Sequence, residues 1–231
     1  MPSISAVLTD PDGFFDRQGS SPSLVGPLVI VALVAVFRLA TGVITSRGLS
    51  DLLSRQDLPA SQAGSGPLGL AFTVAIPFVA WLLYAGLFYL LSSFYEGDGE
   101  FSRLLAFVGY GFLPQIVGSA LTALVQFYRW NVRGVSVTFP SELAGTPPTQ
   151  MSGEQAFAYA RALQQAQTGP LVTLTTVFGL LFTVWAGFIW LFATKHARDV
   201  STRQAAISVG TPLAVVVVIQ LALFALGSFL L

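Results

Sequence analysis

Cysteine is absent from this chain of 231 residues, and histidine occurs once. The first absence excludes a disulfide framework, a thiolate nucleophile, a zinc knuckle and an iron–sulfur cluster. The second removes most metal sites and any catalytic scheme that needs two imidazoles. Lysine is almost missing too, since Lys195 stands alone among the basic residues as the one that is not arginine. Charge of either sign is scarce: 11 basic and 11 acidic residues make 10% of the chain, where a soluble domain carries about 25%. So little charge cannot cover a water-exposed surface, and a hydrophobic content of 54% with mean hydropathy +0.72 excludes a disordered chain. Nucleic acid is not expected as a partner, because the net charge is zero and no basic stretch exists.

What the chain has instead is long runs without charge, at 18–37, 58–95, 104–128, 162–194 and 204–231. A bilayer core about 30 Å thick needs ~20 largely apolar residues as helix. Trimmed of polar flanks, the runs predict spans at about 24–44, 68–94, 104–127, 171–194 and 206–231. The expected fold class is all-α, a polytopic membrane helix bundle with five transmembrane helices. Barrel strands of about 10 alternating residues would not produce apolar runs of this length. The short N-terminal segment 1–23 carries Asp10, Asp12 and Asp16 rather than the basic start of a signal peptide, so the first span is expected to be retained. Tyr89, Phe94, Tyr95, Tyr128, Trp130 and Trp190 fall near span ends, as interfacial rings do.

Charge does not orient the bundle. One side collects Arg17, Arg103, Lys195, Arg198 and Arg203, and the other Arg47, Arg55, Arg129, Arg133 and Arg161, with Arg38 leaning to the second. The density of the loop 195–205 favours a cytoplasmic N-terminus. The longest connection, 128–170, shows a β-like patch at 135–139, a stop at Pro140 and the rigid pair Pro147–Pro148. A helix is expected after it, opened by a capping box of Ser152 and Gln155, with Ala156, Tyr159, Ala160, Leu163 and Ala166 on one weakly apolar face. It would lie on the membrane or cap the bundle, with docking of a partner left open. The small-residue stretch 61–67 reads as a flexible lead into the second span.

Polar residues at membrane depth are the default functional suspects. Arg38 is close enough to a span end to snorkel outward, and Gln115 and Gln220 are neutral groups able to bond between helices. No Asp, Glu, Lys or His lies in mid-span, which leaves a proton pump without a relay. No HExxH pair or GxSxG elbow is present, and His196, beside Lys195 and Arg198, has no second histidine to work with. Asp10, Asp12 and Asp16 do not make a calcium loop, because Phe14 and Phe15 occupy the fifth and sixth positions of an EF-hand register, which need a ligand and a glycine. No catalytic, cofactor-binding or metal-binding residue is identified. Pro77, Pro114 and Pro212 fall inside spans and predict kinks.

Three patches, in order, carry a resemblance: Asp10-Pro11-Asp12-Gly13-Phe14-Phe15 before the first span, GDGEFSRLLAFVGYGFLP at 97–114, and WAGFIWLFATKHARDVSTRQA at 185–205. Together they resemble the Yip family of Ypt-interacting membrane proteins, in its prokaryotic form, over most of the chain outside 128–170. The matching positions are Pro11, Gly97, Gly109, Tyr110, Pro114 and His196. The resemblance implies a non-enzymatic protein of the cell membrane without cofactors, five helices, a cytoplasmic N-terminus and an outward C-terminus. Trafficking relatives bind Rab-type GTPases and one another; about 23 residues before the first span do not match their long N-terminal domain, so a GTPase partner is not supported. The lipid bilayer, other membrane proteins or a second copy remain as partners. Phe14 and Phe15 are expected to dip into the interface while Lys195, Arg198 and Arg203 meet anionic lipid heads. A membrane scaffold is the leading expectation; a small-solute transporter or channel and an accessory subunit of a larger complex are the rivals.

Overall fold

The computed structural model describes residues 4–18, 22–58, 66–146 and 148–229. Among these residues the regular elements are helical and no strand forms. Two short helices come first, α1 (Ile4–Thr9) and α2 (Pro11–Asp16). The Asp-Pro-Asp-Gly sequence starts α2. The Asp10 carboxylate accepts from the Gly13 amide at 3.0 Å, and Pro11 occupies a first-turn position where its missing N–H leaves nothing unpaired.

The bundle follows as α3 (Val25–Ser54), α4 (Gly66–Ser93), α5 (Phe101–Tyr110), α6 (Leu113–Phe127), α7 (Gly153–Gln167), α8 (Pro170–Arg198) and α9 (Thr202–Phe229). α3, α4, α8 and α9 are each long and apolar enough to cross a membrane. The helix pair α5–α6, extended by a π-helical turn to Arg133, makes a fifth crossing if taken as one bent span. The bend is 41° and has a local cause. Pro114 has no N–H to offer the Tyr110 carbonyl, so the helical ladder opens at Gly111 and Phe112. Two indoles from neighbouring helices support the segment just before the break: Trp81 Nε1 donates to the Leu105 carbonyl and Trp190 Nε1 to that of Val108, both at 2.8 Å. Pro77 and Pro212 lie within continuous helices. The outer faces expose Leu28, Phe72, Leu83, Phe188 and Val218, as lipid-facing helices do.

Two separate cores form. The larger lies within the bundle, around α5, whose Leu104, Ala106, Phe107 and Val108 are fully buried with Phe88, Ile189 and Trp190. The smaller lies where α3 runs on beyond the expected span end at 44. Its last turns bury Leu49, Leu52 and Leu53 against Phe139, Leu143, Tyr159, Ala162 and Ala166 of the long connection. The stretch 135–139 is extended yet pairs with no strand, which corrects the β-like expectation. The Gln56 side chain serves it instead, donating to the Val137 carbonyl at 2.7 Å and accepting from the Phe139 amide at 2.9 Å. The capping box at Ser152 and Gln155 is present as expected. The buried face of α7 is rotated, however: Tyr159, Ala162 and Ala166 are buried, while Ala156 and Ala160 are exposed. Arg129, itself buried, donates to the Ala166 and Thr168 carbonyls at the end of α7 and so caps it. Residues 61–65 of the expected flexible lead, Pro147, and 230–231 of the last expected span lie outside the described residues.

Candidate functional site

The three sequence patches, far apart along the chain, meet at the end of the bundle where α4 and α8 finish and α2 and α5 begin. α2 presents Asp12 to the last turns of α8. There Lys195 Nζ donates to Asp12 at 2.7 Å, and His196 Nε2 lies 2.6 Å from the same carboxylate oxygen. Asp16 stands 3.8 Å from the other ring nitrogen of His196. The bond from Lys195, followed by that from His196, holds the Asp12 carboxyl below the usual carboxylate range. Pro11 is buried at the same junction.

Arg198, two residues further on, is 3% exposed and reaches the opposite way. Its guanidinium donates to the Gly97 and Gly99 carbonyls and to the Ser92 and Ser93 hydroxyls, and it lies 4.1 Å from the centre of the Tyr89 ring. One side chain thereby ties the ends of α4 and α8 to the turn that leads into α5. Glycine is needed in that turn because a side chain at Gly99 would occupy the space of the Ala197 carbonyl. Asp199 then closes α8 in the left-handed conformation, at φ +52°.

Phe14 and Phe15 do not dip into the interface. They are 2% and 0% exposed and fill the gap between α2 and α5, Phe14 edge-on to Tyr110 at 5.2 Å and Phe15 against Phe107 at 4.9 Å. The short α1–α2 hairpin folds the pair inward because two phenyl rings gain more inside a closed core than at a wet interface. Arg198 is likewise corrected: it is buried on backbone carbonyls and cannot hold lipid heads. Lys195 is engaged with Asp12. Arg203, near the start of α9, is exposed. Gly109 is buried where a side chain would press on Trp81 and Pro27, and Tyr110 brings its hydroxyl against Gly26 of α3. The sequence offered one cue to the clasp, the three acids of the N-terminal segment balancing a basic loop, but not which acid meets which base.

A second polar cluster was not assembled from sequence. Arg38, exposed near the middle of the 30-residue α3, lines a cavity of about 100 Å³ with Tyr84, Gln115, Thr183, Trp190 and Gln220. Gln115 Nε2 donates to Thr183 Oγ1 at 3.3 Å, joining α6 to α8.

A bundle of long apolar helices, closed at one end by a polar clasp and with its outer faces apolar, defines a multi-pass helical membrane protein. The Yip1 domain model matches residues 5–224, nearly the whole chain, which therefore belongs to the Yip1 domain family. An uncharacterised protein of the archaeon Methanocaldococcus jannaschii is 33% identical over 127 residues, covering 54% of this chain and 89% of its own. No solved structure matches.

Proposed function

We propose that this protein is a non-catalytic, Yip-type scaffold that organises the membrane around it instead of converting a substrate. The observation that carries this reading is where the chemistry at the clasp has gone. Asp12, Lys195, His196 and Arg198 spend their bonds on one another and on backbone, so the groups best suited to acid–base work act as fasteners. What the bundle offers outward is apolar helix surface, suited to lipid, a second copy or other membrane proteins. In this reading the N-terminus of a cell-membrane protein faces the cytoplasm and the C-terminus and the 128–170 connection face outward, supported by the basic density of 195–203.

A second reading has one specific observation in its favour. The cavity at Arg38 is polar, lies near mid-helix and is lined by both membrane glutamines, as a small-solute pathway would require. Reconstitution separates the two. Liposomes carrying the protein at rising protein-to-lipid ratio are imaged by cryo-electron microscopy and assayed for anion and cation flux. Altered vesicle size or curvature without flux supports the scaffold, and flux with unchanged morphology supports passage. Orientation is checked by a cysteine at Ser152, clean because the chain has no other. Labelling in intact cells by an impermeant maleimide supports an external connection, and labelling only after lysis reverses it.

A further inference from the structure

The structure sets Arg38 apart from Arg198, Arg129 and Arg103 by its partners. Arg198 and Arg129 each collect backbone carbonyls, and Arg103 lies 3.7 Å from Asp199. Among the described residues Arg38 takes part in none of the ion pairs, and neither cavity it lines contains a carboxylate. A guanidinium at membrane depth is costly, and such residues persist where water, a partner or a ligand meets the charge. Among apolar neighbours such as Val34, Ile76 and Phe112, the polar groups that share its cavity are neutral and able to donate. Tyr84 brings a hydroxyl from α4, Gln115 a side-chain amide from α6, and Gln220 an amide from α9. One positive charge with convergent neutral donors and no acid is the donor set of an anion site.

The approach to it is visible as well. Arg38 also lines a larger cleft of about 410 Å³ between α3, α4 and α6, with Thr41, Gly42, Thr73 and Thr122. The three threonine hydroxyls bond back to their own helices, at the Phe37, Gly69 and Gly118 carbonyls. They thus keep the cleft polar without adding charge. These positions lie further toward the end of the bundle that carries the 128–170 connection, so the cleft forms a polar approach from that end to the guanidinium.

We propose that Arg38 anchors an anion-binding site within the membrane, taking a phosphate group that is either free in solution or part of an anionic lipid headgroup. The site goes beyond scaffolding, and it supplies the solute class if the passage reading holds. The two fail separately: saturable binding without flux keeps the site and rejects passage.

The test uses the full chain in two arms. In maltoside micelles, which contain no phosphate, inorganic phosphate is titrated calorimetrically. In a second arm, mixed micelles containing phosphatidylglycerol are examined by native mass spectrometry for retained lipid. Saturable binding in either arm is the expected result, and the arm that binds identifies the source. Arg38→Gln is expected to weaken it by about tenfold or more, since a charge-assisted fork is removed, while Arg38→Lys weakens it less. Gln220→Leu, which leaves the charge in place, is expected to weaken it severalfold and serves if Arg38→Gln does not fold. Arg17→Gln, at the opposite end, is expected to leave it unchanged. Absence of saturable binding in both arms with the wild-type protein overturns the proposal, as does undiminished binding in folded Arg38→Gln.

Discussion

The two ends of this molecule solve the same problem with the same residue and differ in what they fasten. At the clasp end, Arg198 gathers the Gly97 and Gly99 carbonyls; at the other, Arg129 gathers those of Ala166 and Thr168. Neither is paired with a carboxylate among the described residues. In a chain this poor in charge, a buried guanidinium is worth most where helix ends leave carbonyls without donors. The settings differ. The clasp is built into the aromatic core through Phe14, Phe15, Phe107 and Trp190. The far end rests on one helix, with Phe139 and Tyr159 packed at 5.6 Å over the last turns of α3. Damage at the clasp should therefore spread through the bundle, and damage at the far end should stay local.

The largest effect is expected from Phe15→Ala, which empties a fully buried aromatic site in the main core. A loss of about 3–5 kcal/mol follows from cavity formation, read as a lower melting temperature and poor recovery from the membrane. Next comes a matched pair. Arg198→Met keeps the apolar stem but strands two carbonyls and two hydroxyls, costing about 2–3 kcal/mol for the whole bundle. Arg129→Met removes similar bonds, yet it should leave bundle melting nearly unchanged while making 128–170 sensitive to protease. Equal falls in melting for the two variants would break the contrast between the ends.

Gly99→Ala sharpens it further, since the added methyl must displace the Ala197 carbonyl; about 1–3 kcal/mol is expected, again on global melting. Ser152→Ala deletes the capping box of α7 and should cost ~1 kcal/mol, seen only in proteolysis of the connection. The smallest effect concerns pH. The Asp12 carboxyl titrates below its ordinary range in the folded protein, so its pairing with Lys195 and His196 stabilises above that range and is lost as pH falls through the lowered value. Because the Asp12 side chain is 48% exposed, solvent screens the pairing and its contribution is at most ~1 kcal/mol. Asp12→Asn should melt slightly lower than wild type at neutral pH, and the two curves should converge as pH falls through the lowered Asp12 range.

Much of the fold could be read from single residues. The charge-free runs located the long helices, Pro114 marked the bend, and Ser152 with Gln155 marked the start of α7. Errors came where a residue's local chemistry allowed two answers and packing chose. Phe14 and Phe15 suit an interface as well as a core, and the hairpin geometry of α1 and α2 turned them inward. The stretch 135–139 has strand-like residues, but Gln56 rather than a second strand satisfied its backbone. Ala156 and Ala160 fit a helical face whose small residues left its rotation undetermined until Tyr159 found Phe139.

The sequence by itself determined that this is a multi-pass helical membrane protein, because charge density and the lengths of apolar runs act through solvation, which needs no knowledge of neighbours. It also determined which residues were scarce enough to matter: one histidine, one lysine and a handful of arginines. Only the tertiary structure decided what they do. Whether a charged side chain fastens a helix end, meets a carboxylate or waits beside a cavity depends on partners brought close from distant parts of the chain. Lys195 reaches Asp12, Arg198 reaches Gly97 and Gly99, and Arg38 faces Gln115 and Gln220, because short-range bonds form only where helix packing has already brought the groups together.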